Sequence, residues 1–177
     1  MKLAAAACAL FCLLVAAPAC AAQLQPAKPV APVLYTGRWY EIARTPNRMQ
    51  ADCAAPTTDF SGWAAGVFSA VQTCHSGAPS GPKHTISVSG HVLPASQNAK
   101  MQLGMLGGLI SKEYWILDHS PDNASWLIMS TSDRRYVWLM SRQPVLSAPA
   151  RADAFARMQE MGFNLARLAF PQQLTTR

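Results

Sequence analysis

The sequence lacks the long apolar segment that a membrane-spanning helix needs. Its longest apolar run, from Leu3 to Ala17, falls short of the roughly 20 residues that cross a bilayer. It also contains no cluster of Lys and Arg and no alternation of basic and aromatic residues, although its formal net charge is +6. The positive charge is scattered, which predicts a solvated surface and argues against a nucleic-acid partner.

The common catalytic motifs are absent as well. There is no Gly-x-Ser-x-Gly nucleophile elbow, no His-Glu-x-x-His metal motif and no phosphate-binding loop. Cys74 and His75 are neighbours, so in a strand they point to opposite faces and cannot form a nucleophile–base pair. The same alternation separates His84 from His91 and argues against a shared metal site. We therefore predict a protein that is not an enzyme and that uses no cofactor.

The first residues have the composition of a secretory signal. Lys2 precedes the apolar run, and small residues follow from Ala19 to Ala22. Residues 1–22 are therefore predicted to be a signal that is removed on export. Residues 23–34 contain three prolines and are predicted to form an extended linker, and residues 35–177 are predicted to form a single domain.

The five cysteines divide by position. Cys8 and Cys12 lie in the apolar run of the predicted signal and are removed with it. Cys53 and Cys74 remain in the exported chain, and the oxidising conditions there predict a disulfide between them. Cys20 leaves two alternatives open: it becomes the acylated first residue of a lipoprotein, or it is removed by cleavage just after it.

Short runs of β-branched, aromatic and aliphatic residues recur about every ten residues and are separated by turn residues, which favours an antiparallel sandwich or barrel. Eight strands are the number with which a closed barrel can hold one small ligand. A change to helical periodicity predicts one amphipathic helix over residues 148–161 that packs on the barrel wall. The candidate strands are residues 38–45, 55–62, 66–74, 84–92, 99–105, 112–118, 125–131 and 135–142.

Several motifs resemble one family. Residues 37–44, Gly-Arg-Trp-Tyr-Glu-Ile-Ala-Arg, resemble the opening motif of lipocalins, which are small barrels that bind apolar ligands. Residues 112–118 and 133–144 are similar to strand motifs of its bacterial outer-membrane lipoprotein and apolipoprotein D-like branch, and the cysteines that flank residues 57–60 recur in bacterial members. The resemblance covers residues 34–173 and implies an all-β, eight-stranded up-and-down antiparallel barrel with one C-terminal α-helix.

The resemblance also implies roles for individual residues. Trp39 of the first motif and Arg142 of the last are expected to stack on each other and close one end of the barrel. If Arg142 points inward, strand alternation predicts which other side chains line the cavity. The predicted ligand-binding residues are Tyr136, Trp138 and Met140 from the last strand, and Trp115 and Met129 from neighbouring strands.

The function implied by the resemblance is to bind, store or transport a small hydrophobic ligand in the bacterial envelope, at the outer membrane or in the periplasm. Fatty acids and lysophospholipids are the expected ligands, and membrane maintenance under stress is the expected context. Two alternatives stay open, a haem or tetrapyrrole carrier and a lipocalin-fold enzyme. Membrane contact is expected through a lipid anchor on Cys20 or through the apolar stretch from Met105 to Ile110, in a monomer or a homodimer.

Overall fold

The chain folds into one closed barrel of eight antiparallel strands. A computed structural model describes residues 24–105, 108–122 and 125–174. Each strand pairs with its neighbour in sequence, and the last strand pairs with the first, which confirms the predicted up-and-down barrel. The strands are β1 (Gly37–Arg44), β2 (Cys53–Ala64), β3 (Val67–Ser76), β4 (Lys83–Val92), β5 (Lys100–Met105), β6 (Ile110–His119), β7 (Trp126–Thr131) and β8 (Val137–Ser141).

One α-helix, α1 (Ala148–Glu160), follows the barrel and packs on its outer wall, as the helical periodicity predicted. The Ser147 side chain accepts a hydrogen bond from the amide of Ala150 and so caps the helix start. None of the described helices is long and apolar enough to cross a membrane. Short 3₁₀ helices lie at Pro32–Tyr35, Arg48–Gln50 and Leu165–Arg167.

Two apolar clusters stabilise the barrel, one on each side of its wall. The inner cluster fills the barrel toward the end where β1 begins, and the outer cluster lies between the wall and α1. Burial of this surface on both sides is the main source of stability. The largest inner residues are Leu34, Tyr35, Trp39, Phe60, Phe68, Met101, Ile116, Leu127, Met129 and Met140, and the main outer residues are Leu117, Trp126, Ile128, Val137, Leu139 and Met158.

The 3₁₀ helix Pro32–Tyr35 crosses this filled end and closes it. The ring of Tyr35 is buried, with its centre 4.9 Å from that of Trp63 and 4.8 Å from that of Phe68. Its hydroxyl donates a hydrogen bond to the carbonyl of Asn98 at 2.5 Å, which satisfies its polar atom. The opposite end of the barrel, where β1 ends and β2 begins, is therefore the mouth.

Arg142, the residue after β8, lies over the indole of Trp39. Its guanidinium carbon is 3.9 Å from the centre of the ring. The guanidinium donates hydrogen bonds to the carbonyl oxygens of Thr36 at 2.6 Å and of Val33 and Arg38 at 2.9 Å each. Burial lowers the pKa of Arg142 below its usual value, because partial loss of water disfavours the charged form. One side chain thus joins the end of β8, the start of β1 and the closing helix.

A disulfide joins the start of β2 to the end of β3 near the mouth. Cys53 and Cys74 are bonded, with their Cα atoms 5.1 Å apart and a sequence separation of 21 residues. This confirms the predicted bridge. A closed loop of this length stabilises the fold by about 3 kcal/mol in the chain-entropy model.

Residues 24–29 lie along the outside of the barrel, and residues 30–31 lead from there into the closing 3₁₀ helix. The amide of Ala27 donates to the carbonyl of Leu117 at 2.7 Å, and the amide of Val30 donates to the carbonyl of Gln97 at 2.9 Å. Val30 itself is buried in the inner cluster. These contacts make the segment part of the barrel's packing, which corrects its prediction as a linker.

Asp118 at the end of β6 joins this segment to α1. Its carboxylate is fully buried and accepts hydrogen bonds from Lys28 Nζ and from Arg157 Nε, each at 2.7 Å. Burial alone raises the pKa of a carboxyl group. The hydrogen bonds from Lys28, Arg157 and the amide of His119 outweigh that effect, and the pKa of Asp118 lies below its usual value.

We expect Asp118→Asn to lower the free energy of unfolding by about 2 to 3 kcal/mol at pH 7, because it removes two charge-assisted hydrogen bonds at a buried site. Since the pKa is lowered on folding, this stabilisation is present above the unfolded-state pKa of about 4 and is lost as the pH falls through the folded-state value. Urea denaturation at pH 7 and at pH 2 to 3 measures the difference. Asp59→Asn, in a half-exposed pair with Arg38, is the control and should cost under about 1 kcal/mol. An effect of Asp118→Asn that does not shrink in acid would contradict the account.

We expect Arg142→Gln to lower the free energy of unfolding by about 2 to 4 kcal/mol, because three carbonyl oxygens lose their donor and the indole loses its cation. Arg142→Lys should recover only part of the loss. A lysine ammonium lacks the planar fork of N–H donors with which the guanidinium reaches three carbonyl oxygens. Urea denaturation followed by tryptophan fluorescence measures both variants. Full stability in Arg142→Lys would show that charge alone is needed.

Candidate functional site

The mouth of the barrel holds two cavities that are separated by one loop. This mouth loop, residues 45–52, connects β1 to β2 and folds inward over the barrel opening. Residues 48–51 line both cavities. The larger cavity, of about 890 Å³, lies toward β6, β7 and β8, and the smaller, of about 280 Å³, lies toward β2, β3 and β4.

Aromatic side chains form one wall of the larger cavity. It is lined by Tyr114 of β6, by Tyr136 just before β8 and by Trp138 of β8. The ring of Trp138 has its centre 5.9 Å from that of Tyr114 and 6.2 Å from that of Tyr136. Met49 extends from the mouth loop on the other side and is 77% exposed. An apolar ligand in this cavity removes aromatic and thioether surface from water.

The predicted ligand-binding residues on β7 and on or next to β8 lie at two depths within the barrel. Tyr136 and Trp138 line the larger cavity. Met129 and Met140 also face the interior, but both are buried in the inner cluster and do not line either mouth cavity. The filled part of the barrel therefore begins at these two methionines, and the empty volume lies above them.

The prediction that Trp115 faces the interior is wrong. Its ring belongs to the outer side of the wall, in contact with the outer cluster and with Lys100 Nζ at 4.0 Å from the ring centre. Its neighbours Tyr114 and Ile116 pack with the inner cluster. Because successive side chains of a strand alternate between its faces, Trp115 cannot share the interior with them.

A buried polar network holds the mouth loop in place. Arg44 Nη1 pairs with Glu41 Oε1 at 2.6 Å, and both side chains are buried. Gln50 of the loop donates to Glu41 Oε2 at 2.8 Å, and its side-chain oxygen accepts hydrogen bonds from Trp138 Nε1 at 3.1 Å and from Asn47 at 2.8 Å. Burial raises the pKa of Glu41, although Arg44 and Gln50 act in the opposite direction.

Sequence reasoning missed this network. The spacing of Glu41 and Arg44 gave no signal for a pair, because residues three apart in a regular strand point to opposite faces. A register shift between Glu41 and Ala43 brings both side chains to the inner face. Nothing in the sequence indicated that Gln50 would reach across the mouth to Trp138, 88 residues away.

The residues considered for catalysis do not come together. Cys74 is in the disulfide. His84 lines the smaller mouth cavity, whereas His91 lies on the other side of β4, beside Ser89 and Gln102. Among the described residues, no three His, Cys, Asp or Glu side chains are grouped so that they could hold a metal ion.

A closed eight-stranded barrel with one filled end and an open, partly empty mouth defines a small binding barrel. The family model described as a lipocalin-like domain matches residues 33–173, and the chain belongs to the lipocalin family. Membership in this family indicates binding or transport of a small hydrophobic ligand, and its members are generally not enzymes.

Individual relatives agree with this assignment. The outer membrane lipoprotein Blc of Vibrio cholerae serotype O1 is 25% identical over 140 residues, which cover 78% of this chain and 80% of that protein. Insecticyanin of the tobacco hornworm Manduca sexta has a similar structure, with a TM-score of 0.69, 14% identity and 85% coverage of both chains. Lobster apocrustacyanin A1 has a TM-score of 0.65 at 14% identity and covers 87% of this chain and 93% of its own. The two structures show the shared fold.

We expect Gln50→Ala to release the mouth loop, because three side-chain hydrogen bonds are lost while the Glu41–Arg44 pair is kept. Hydrogen exchange of the amides of residues 47–53 should become at least tenfold faster, and the free energy of unfolding should fall by about 1 to 2 kcal/mol. Gln72→Ala, which also lines the smaller cavity but lies outside the network, is the matched control and should change neither quantity. Unchanged exchange in Gln50→Ala would show that the loop is held by other contacts.

Proposed function

We propose that this protein binds an acyl-chain amphiphile, a fatty acid or a lysophospholipid, and carries it within the bacterial envelope. The observation that carries the proposal is the larger mouth cavity, with its aromatic wall of Tyr114, Tyr136 and Trp138. Its volume of about 890 Å³ is typical of cavities that bind small molecules. Each methylene group that leaves water for such a surface contributes about 0.8 kcal/mol to binding.

The filled half of the barrel limits how deep the ligand lies. Met129 and Met140 are buried with the inner cluster, so an acyl chain has no free volume below them. We therefore propose that the chain lies across the mouth, between the aromatic wall and Met49, with its polar head at the rim. The smaller cavity, which includes the half-exposed Ile86, extends this apolar surface toward β4.

We further propose that the chain is exported, with residues 1–22 as its signal. The pattern of the N-terminus supports this, and so does the similarity to the Vibrio cholerae relative, an outer membrane lipoprotein. Residues 1–23, and Cys20 with them, lie outside the described residues. The mass of the mature protein decides between a diacylglyceryl group on Cys20 and a chain that begins after it.

The tip between β5 and β6 is proposed as a second membrane contact. Leu109 is 87% exposed and Ile110 is 53% exposed, and both lie at the mouth end of the barrel. Leu106 and Gly107 of the same stretch lie outside the described residues. Two apolar side chains at the mouth can enter the lipid interface from which a ligand is taken.

We expect Tyr136→Ala to weaken binding of a 16-carbon fatty acid about three- to tenfold, because one aromatic ring of the cavity wall is lost. Calorimetric titration measures the affinity. Tyr40→Ala is the matched control, since Tyr40 is also half-buried but follows the inward Trp39 and so lies on the outer face of β1. Equal losses in both variants, or no binding of fatty acid or lysophospholipid to the wild type, would contradict the proposal.

A further inference from the structure

The larger mouth cavity carries positive charge that its apolar wall does not explain. Lys112 of β6, Arg135 of the turn before β8 and Arg48 of the mouth loop line it, and all three are exposed. Within the described part of the chain, none of the three forms an ion pair with a carboxylate. Arg44, which also lines the cavity, differs because Glu41 neutralises it.

Two of these cations converge on one ring of the cavity wall. Lys112 Nζ lies 5.3 Å from the centre of the Tyr136 ring, and the guanidinium carbon of Arg135 lies 5.5 Å from it. Arg48 approaches from the mouth loop, on the side of Met49. A charged group placed at the rim beside Tyr136 is therefore close to two cations, and Arg48 lines the same cavity.

Asp133 is the acidic group beside this cluster, and its carboxylate already has hydrogen-bond donors of its own. Its carboxylate accepts hydrogen bonds from the hydroxyl of Thr131 and from the amide of Arg135. These bonds, aided by the charges of Lys112 and Arg135, lower its pKa. Asp133 does not line the cavity, so the rim keeps an excess of positive charge.

We infer that the mouth cavity selects amphiphiles whose head group is anionic, a carboxylate or a phosphate monoester, over those with a neutral or zwitterionic head. Lys112, Arg135 and Arg48 bind the head group, and the aromatic wall binds the chain. This inference rests on the proposed function and narrows its ligand class. Guanidinium and ammonium groups bind carboxylate and phosphate oxygens through charge-assisted hydrogen bonds, which a neutral head group cannot match.

Four probes that share a 12-carbon chain test the inference: dodecanoate, dodecyl phosphate, dodecylphosphocholine and dodecanol. Titration below the micellar concentrations of the three charged or zwitterionic probes, and below the solubility limit of dodecanol, should show the two anionic probes binding at least tenfold more tightly than the other two. The preference should shrink when the salt concentration is raised from 50 to 500 mM, because exposed charges are screened. The order of dodecanoate and dodecyl phosphate tells which of the two anionic heads the site prefers.

Variants that each remove one positive charge test which residues bind the anionic head group. Lys112→Gln and Arg135→Gln should each weaken dodecanoate binding about three- to tenfold and leave dodecanol binding unchanged. Lys83→Gln removes an exposed charge at the same end of the barrel, outside both mouth cavities, and should change neither affinity. All three side chains are exposed, so the variants should stay folded, and their unfolding curves check this.

Two results would overturn the inference. Dodecanol that binds as tightly as dodecanoate would show that the head group is not recognised, and the proposed function would still stand. A loss in Lys83→Gln equal to that in Lys112→Gln would show that only the overall charge of the protein acts. If none of the four probes binds, the proposed function fails together with the inference.

Discussion

The contact between Arg142 and Trp39 fixes the seam at which the barrel closes, and the rest of the structure depends on that seam. Closure of β8 onto β1 gives every strand two partners and creates an interior of limited size. Because the guanidinium also binds carbonyl oxygens of the closing helix, the same end is covered and filled. Across the described residues, the free volume inside the barrel therefore lies at the mouth, which is where the proposed ligand is recognised.

The strand order and the helix could be predicted from the sequence because each depends on local signals. Turn residues separate short apolar runs, and all neighbouring strands are joined by hairpin connections. The facing of Trp115 could not be predicted in this way. Its part of β6 is covered by the inner cluster on one face and by the outer cluster on the other, so polar residues do not mark a solvent face. The register of β6 against β7 also shifts between Ile116 and Asp118.

The mouth loop and the N-terminal segment escaped prediction for a different reason. Both read as polar or proline-rich connections, and both are held by partners far away in the chain. Gln50 meets Trp138 across 88 residues, and Lys28 meets the carbonyl of His119 across 91. A single sequence shows that such side chains are polar but not which distant group satisfies them. Recognition of the cavity therefore required the structure, although two residues of its aromatic wall were already among the candidates.

The charges of this barrel divide into two groups with different consequences. The buried carboxylate of Asp118 is shared between two cations, and Glu41 is paired with Arg44, so each contributes to holding segments of the fold together. A buried charge without a partner is costly, which explains why these pairs are complete. In the part of the chain that the structure describes, Lys112, Arg135 and Arg48 at the mouth form no ion pair, and their exposure lets water solvate them at little cost. Their removal therefore changes stability little. The proposed ligand would exclude this water and supply a negative charge, and so would pair with these cations. We therefore expect these residues to contribute to ligand affinity and not to the stability of the fold.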